Sequence, residues 1–129
     1  MIELAIKASV ERITGMKIFP LQLPAGTYNG GTYLRVSDPE VMAGMVRTGL
    51  TAGRFQITLY AENDLTKLVK LDKAIWDEWR DVIHGQIEGY PVQYVQRGGI
   101  RHNVETMTGG NLLYSLARDF IIHYREDYE

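Results

Sequence analysis

The pattern of apolar and polar residues between positions 63 and 84 predicts one amphipathic helix. Its apolar face consists of Leu65, Leu68, Val69, Ile75, Trp76, Trp79, Val82 and Ile83, which recur at helical spacing. Asn63 or Asp64 can cap the start by accepting a backbone N–H bond, and Gly85 can supply the left-handed turn that ends the helix. Because a lone helix of this length is marginal in water, its tryptophan-bearing face needs a sheet to pack against.

A second helical pattern opens the chain, and strand patterns follow it. Apolar residues recur at helical spacing over residues 2–13, and Gly15 can end this helix. Residues 16–19 predict either an edge strand or an extended connector, because proline follows and cannot donate to a ladder. Residues 32–37 alternate and predict a strand.

The clearest strand is residues 54–60, where Phe55, Ile57 and Leu59 alternate with polar side chains. Residues 90–104 form another extended stretch, in which the glycine pair at 98–99 predicts a bulge; a tight hairpin is the alternative. Residues 112–124 predict the last strand. Arg118 and Asp119 interrupt its apolar run, and we expect a switch of face there.

This order of elements predicts one α+β domain over residues 1–129. The expected fold is an antiparallel (mixed) β-sheet of about four to five strands with two α-helices packed on one face. A short charged tail over residues 125–129 is expected to fray. The face of the sheet opposite the helices, half polar and half aromatic, is a candidate contact surface.

A long loop is predicted over residues 38–53. This segment contains Gly44, Gly49 and Gly53 and shows no sustained period. Long loops are uncommon in compact domains and are often functional. One interpretation is a floppy hairpin connection, and the other is an arm that orders against a neighbouring subunit. Methionine side chains suit the second, because they adapt to irregular surfaces.

Composition and charge narrow the function classes. The chain has no cysteine, which excludes disulfides and thiolate metal sites, and its net charge of −2 lacks the positive excess of a non-specific nucleic-acid binder. No apolar run approaches the ~18 residues that span a membrane. The N-terminal residues mix charges with apolar side chains, unlike a signal peptide. We therefore expect a protein that is made and used in the cytoplasm.

We find no constellation of residues for catalysis. His84, His102 and His123 lack the short spacing of metal ligands, and no nucleophile motif is present. The carboxylates over residues 77–81 are interleaved with basic residues, which indicates a solvated, salt-bridged helix face. The sequence predicts no enzyme activity, no cofactor and no metal.

Several short patterns occur in a characteristic order between residues 16 and 126. They are residues 18–20 with 23–24, residues 33–37 with 38, residues 54–56 with 60–61, and residues 119–120 with 124–125. In this order and spacing the chain resembles the tail-terminator (tail-completion) proteins of long-tailed bacteriophages and prophages. The resemblance implies an α+β fold of sheet and helices and a structural role without catalysis.

Members of that family cap the head-proximal end of a finished tail tube as a ring of six subunits. They stop further addition of tube protein and form the joint to the head connector. The implied partners are copies of the chain itself in a homo-hexamer, the tail tube protein and the head–tail connector protein. No membrane is involved, and DNA passes through the ring without specific binding. The implied location is the head-proximal end of the virion tail, after assembly in the host cytoplasm.

The resemblance places the subunit and tube interface on the segment 39–51 and on the polar sheet face. The candidate residues are Val41, Met42, Met45, Val46, Arg47, Leu50, Arg54, Tyr60, Tyr94 and Arg97. The alternative function is a small monomeric protein-binding module that holds a peptide or another protein on its sheet edge. A ring requires self-association, whereas the module requires a stoichiometric partner.

Overall fold

The computed structural model describes residues 1–125 as two helices and seven strands. In chain order they are α1 (Ile2–Thr14), β1 (Ile18–Pro20), β2 (Gly30–Ser37), β3 (Glu40–Ala43), β4 (Val46–Glu62), α2 (Leu65–Trp79), β5 (Ile83–Ile87), β6 (Tyr90–Thr106) and β7 (Leu112–Arg125). With 54% strand and 22% helix the protein is mostly β, so the prediction of an α+β fold with four to five strands is wrong. The predicted tail lies outside the described residues except for Arg125, which ends β7.

All seven strands belong to one curled, mixed sheet. The strand order is β1-β2-β4-β7-β6-β5, and β3 pairs with the start of β4. β1 is parallel to β2, whereas the other pairs are antiparallel. β4 and β7 form the centre and pair without a register shift from Leu50 opposite Arg125 to Glu62 opposite Leu113.

Alternation along β4 sorts its side chains onto two faces. Phe55, Ile57 and Leu59 are buried and point towards the helices. Gln56 and Thr58 point to the opposite face and are only half-buried. Both helices contribute to the same core as β4 and β7, so the hydrophobic core lies on one side of the sheet.

Most of the segment 38–53 forms strands, over residues 40–43 and 46–53, so the predicted long loop is wrong there. β3 and the first part of β4 make an antiparallel hairpin in which Ala43 lies opposite Val46. Gly44 has a positive φ of 64° and opens the two-residue turn between the strands, a conformation that glycine adopts without steric cost. Backbone pairing thus orders a segment that lacks an apolar period.

Helix α2 is shorter than the pattern predicts. The Asp64 carboxylate accepts the N–H of Lys67 at 3.0 Å, which confirms the expected cap. The helix ends at Trp79 instead of residue 84, and Gly85 lies within β5. β-branched Ile83 pairs with β6 instead, because the ladder there supplies hydrogen bonds to a residue type that favours strands.

Helix α1 ends at the predicted glycine. Gly15 is left-handed with φ of 71°, and its N–H bonds to the Glu11 carbonyl at 2.9 Å. The Glu11 carboxylate also accepts the N–H of Ile18 at 3.0 Å, and this bond lowers the pKa of Glu11. These contacts link the end of α1 to β1, which is an edge strand of the sheet.

The glycine pair in β6 forms the predicted bulge. Arg97 lies opposite Phe120 and Ile100 opposite Arg118, so Gly98 and Gly99 together face one residue of β7. The predicted face switch in β7 is wrong, because its pairing with β4 continues unshifted through this point.

The two charged residues in the middle of β7 instead point to opposite faces. Arg118 points to the helix side, where its guanidinium donates to the two Asp72 carboxylate oxygens at 3.1 and 2.9 Å. A third bond runs from Arg118 to the Gly98 carbonyl at 3.1 Å. Asp119 points to the other face. The charges therefore follow the ordinary alternation of a strand, and one of them enters the core because α2 supplies its partner.

Replacing Gly53 with alanine is expected to destabilise the protein by about 1–3 kcal/mol, because the core there is already filled. An added Cβ would lie 2.6 Å from the ring of Phe55 and 2.9 Å from the ring of Tyr124. Chemical denaturation of the variant measures the loss. Gly99→Ala is the matched control, since that strand glycine has nothing within 4 Å of the added Cβ. Equal stability of the two variants would contradict the close packing of Phe55 and Tyr124 against Gly53.

Candidate assembly surfaces

The β3–β4 hairpin carries an exposed apolar tip, formed by Met42, Met45 and Val46. Their exposed fractions are 47%, 96% and 67%. Every residue from 42 to 49 is exposed. The structure therefore exposes three of the predicted interface residues at the end of one hairpin, with Val46 and Met42 on opposite faces of it.

Polar contacts brace the two strands of this hairpin. The guanidinium of Arg47 bonds to the Glu40 carboxylate at 2.8 Å, and the Thr48 hydroxyl donates to the Val41 carbonyl at 2.6 Å. Leu50 lies half-buried at the base, where β4 begins to pair with β7. Of the other predicted residues in this segment, Val41 is half-buried and Arg47 lies opposite Met42.

A second surface is the sheet face turned away from the helices, which we call the open sheet face. It includes the outward side chains of the three central strands, namely Arg54, Gln56, Tyr60, Tyr94, Gln96, Asp119, Ile121 and His123. At its centre, Asp119 accepts from Arg54 and from Gln56, both at 3.3 Å. Of Arg54, Gln56 and Asp119, only Arg54 and Asp119 are charged, and their opposite charges form an ion pair.

Aromatic rings lie at one side of the open sheet face. Tyr94 stacks on His123 with ring centroids 4.1 Å apart and an angle of 11° between the planes. The Gln96 side-chain oxygen lies 3.1 Å from the Nε2 atom of His123. Burial lowers the pKa of His123, so the neutral ring dominates at pH 7. The predicted residue Tyr60 lies on the same face, opposite Ser115.

Arg97 belongs to neither surface. It lies on the helix side of β6, and its guanidinium sits 5.2 Å from the centroid of the Trp76 ring. This geometry is a cation–π contact within one chain. The structure therefore separates Arg97 from the other predicted interface residues.

Sequence reasoning missed three members of the open sheet face: Asp119, Ile121 and His123. Their spacing of two along β7 was the available signal, since such residues share one face of a strand. That signal was hidden because Phe120 and Ile122, which point into the core, make the same run look continuously apolar.

Little in the described residues resembles a chemical site. Within residues 1–125, no group of three His, Cys, Asp or Glu side chains could hold a metal ion. A depression of about 460 Å³ beside Arg12 contains Glu78 and Glu88, but both carboxylates form ion pairs with Arg12. No helix in this part of the chain is long and apolar enough to cross a membrane.

The features that stand out in residues 1–125 are exposed surfaces. They are the hairpin tip, the open sheet face and the sheet edges. Comparison with known proteins assigns no family to them, since the sequence matches no protein-family model and no curated protein.

Proposed function

We propose that the chain is a tail-terminator subunit. In this proposal six copies form a ring on the head-proximal end of a phage tail tube, stop tube growth and join the tail to the head connector. The single observation that carries the proposal is the apolar tip on the β3–β4 hairpin, in the segment where the sequence resemblance expects the contacts of the ring.

The hairpin tip has the exposed apolar surface that is typical of a protein–protein contact. Three large apolar side chains at this end of the hairpin are exposed to water, with Met45 in the turn exposed over 96% of its surface. Val46 lies on the face of Ala43, and Met42 lies on the opposite face beside Arg47. Exposed apolar side chains favour burial against another protein, and methionine adapts its shape to such a partner. In a closed ring every subunit can cover the tip of the next, so no tip stays exposed.

The open sheet face supports a second contact in the same ring. Its tyrosine rings combine apolar area with a polar group, a composition that is enriched in protein interfaces. The Arg54–Asp119 pair adds no net charge to the centre of the face. In the proposed assembly these surfaces meet the neighbouring subunits, the tail tube protein and the connector protein. DNA passes through the lumen without specific binding, at the head-proximal end of the virion tail.

A second candidate function is a small monomeric protein-binding module. The observation that favours it is a free strand edge in β6. Residues 100–106 pair with β7 on one side, and no described strand pairs with their other side. An extended segment of another protein could add to such an edge. The module requires a stoichiometric partner and no ring.

Aspartate at the hairpin tip is expected to abolish tail termination without unfolding the protein. The variant is Met45→Asp with Val46→Asp; both side chains are exposed, so stability should change by only about ±0.5 kcal/mol per site. A charged tip cannot be buried against a neighbouring subunit. The measurement is electron microscopy of lysates from the phage or prophage that encodes the chain, which should contain overlong tails and unjoined heads.

Val69→Asp is the matched control, because Val69 is exposed on α2, away from the hairpin. Lysates of this control should contain joined particles with tails of normal length. Normal tails with the hairpin variant would overturn the role of the hairpin tip. Normal, joined tails after deletion of the whole gene would overturn the terminator function itself.

A further inference from the structure

We infer that the free edge of β6 binds the same edge of a second copy of this chain, in an antiparallel two-fold pair centred on Asn103. This inference concerns residues 100–106 and is independent of the proposed function. The β3–β4 hairpin lies at the other end of the sheet, since β4 runs from Leu50 opposite Arg125 to Glu62 opposite Leu113.

The edge is long and regular. β5 pairs with β6 only as far as Tyr94, and β7 alone pairs with residues 100–106 among the described strands. The bulge at Gly98 and Gly99 comes before this stretch, and no proline lies within it. Natural edges are usually protected by such features or by covering elements. Here every second residue along a seven-residue stretch offers its backbone N–H and C=O to another strand.

The two charged residues of this edge, Arg101 and Glu105, lie opposite uncharged residues of β7. Arg101 lies opposite Ala117, and Glu105 lies opposite Leu113. Arg101 and Glu105 are four residues apart, so both point to the same face of the strand. Each charge is thus available to a strand on the free side of β6.

The arrangement of these charges matches the strand to itself. An antiparallel pair centred on Asn103 places Arg101 of each copy opposite Glu105 of the other. Sliding one strand by two residues places one of these charges opposite asparagine instead. Sliding it by four residues places like charges opposite each other, which is destabilising. Among registers that keep the faces aligned, only the pairing centred on Asn103 joins both opposite charges.

The other face of the same stretch carries two exposed apolar side chains that the pairing would partly cover. Ile100 and Val104 are exposed over 41% and 50% of their surfaces. The Asn103-centred register places Val104 opposite His102 and Ile100 opposite Thr106 in both copies. A peptide of unrelated sequence could also pair with this edge, but the two-fold charge match is a property of the strand with itself. A second copy of the chain is therefore the occupant that the charges specify.

Charge reversal tests the pairing directly. Arg101→Glu alone and Glu105→Arg alone each place like charges opposite each other twice, and each should raise the dimer dissociation constant about tenfold or more. A mixture of the two single variants should form a heterodimer, because every opposed pair is then of opposite charge. The double variant should dimerise like the wild type. Sedimentation equilibrium and native mass spectrometry measure these species against the 14.7 kDa monomer.

Lys70→Glu, on the exposed side of α2, is the control for the change in net charge and should dimerise like the wild type. Circular dichroism checks that each variant is folded, and heterodimer formation shows this independently. A wild-type protein that stays monomeric across the concentration range would overturn the inference. So would a dimer or ring that Arg101→Glu leaves unchanged, or single variants that do not combine. None of these outcomes bears on tail length, so the terminator proposal is tested separately.

Discussion

Truncation of Trp79 to alanine is expected to lower the free energy of unfolding by about 3–5 kcal/mol. Trp79 is 1% exposed, and its ring meets Phe120 edge-on with centroids 4.8 Å apart. Its indole N–H also donates to the Ser9 hydroxyl of α1 at 2.9 Å. The substitution would empty the space between both helices and the centre of the sheet. Urea denaturation followed by circular dichroism measures the change.

Two further variants separate the contributions at this site. Trp76→Ala should cost less, because Trp76 is only half-buried and stacks at the edge of the core, 6.4 Å from Phe120. Ser9→Ala should cost about 1–3 kcal/mol, since it leaves the buried indole N–H without its acceptor. A midpoint for Trp79→Ala close to that of the wild type would show that the helix faces are assigned wrongly.

Replacing Arg118 with methionine is expected to destabilise the fold by about 3–5 kcal/mol, because it leaves the Asp72 carboxylate buried without its charged partner. In the native protein the two side chains are only 12% and 9% exposed and are joined by two hydrogen bonds. The bond from Arg118 to the Gly98 carbonyl is lost as well. Chemical denaturation again measures the loss.

The double variant Arg118→Met with Asp72→Leu is the decisive control for this ion pair. Replacing both charges with apolar side chains of similar size is often neutral or stabilising, because the desolvation cost of both groups disappears. We therefore expect the double variant to be more stable than Arg118→Met alone. If the double variant loses as much as the single one, the damage comes from lost packing or from the Gly98 bond, and the ion pair is not its cause.

Local patterns correctly predicted the features that depend on neighbouring residues. Gly15 ends α1 and Asp64 caps α2, because each cap is a contact within one turn of the chain. The bulge in β6 follows from two adjacent glycines. Because they have no side chains, Gly98 and Gly99 can both lie opposite a single residue of β7. The alternating faces of β4 follow from the geometry of a strand.

The candidate surfaces were predicted only in part. The apolar residues of the hairpin tip stood out in the sequence because they interrupt a glycine-rich segment. Of the residues predicted for the open sheet face, Arg54, Tyr60 and Tyr94 lie on it. Arg97 lies on the helix side instead and packs over Trp76. A single charge in a strand does not reveal its face without a register, and register is set by the partner strand.

The sequence by itself determined the Gly15 and Asp64 caps, the bulge in β6 and the alternating faces of β4, since these depend on short-range geometry and side-chain type. The predicted end of α2 at Gly85 is wrong, and Val69 and Ile83, which the pattern assigns to the apolar helix face, are exposed. Only the tertiary structure decided that residues 38–53 pair as a hairpin, that α2 stops at Trp79 and that Arg118 enters the core. Each of these depends on a partner far along the chain: the hairpin base meets β7, Ile83 meets β6, and Arg118 meets Asp72. Long-range pairing outweighs local preference because it satisfies backbone groups and a buried charge that the local segment leaves unpaired.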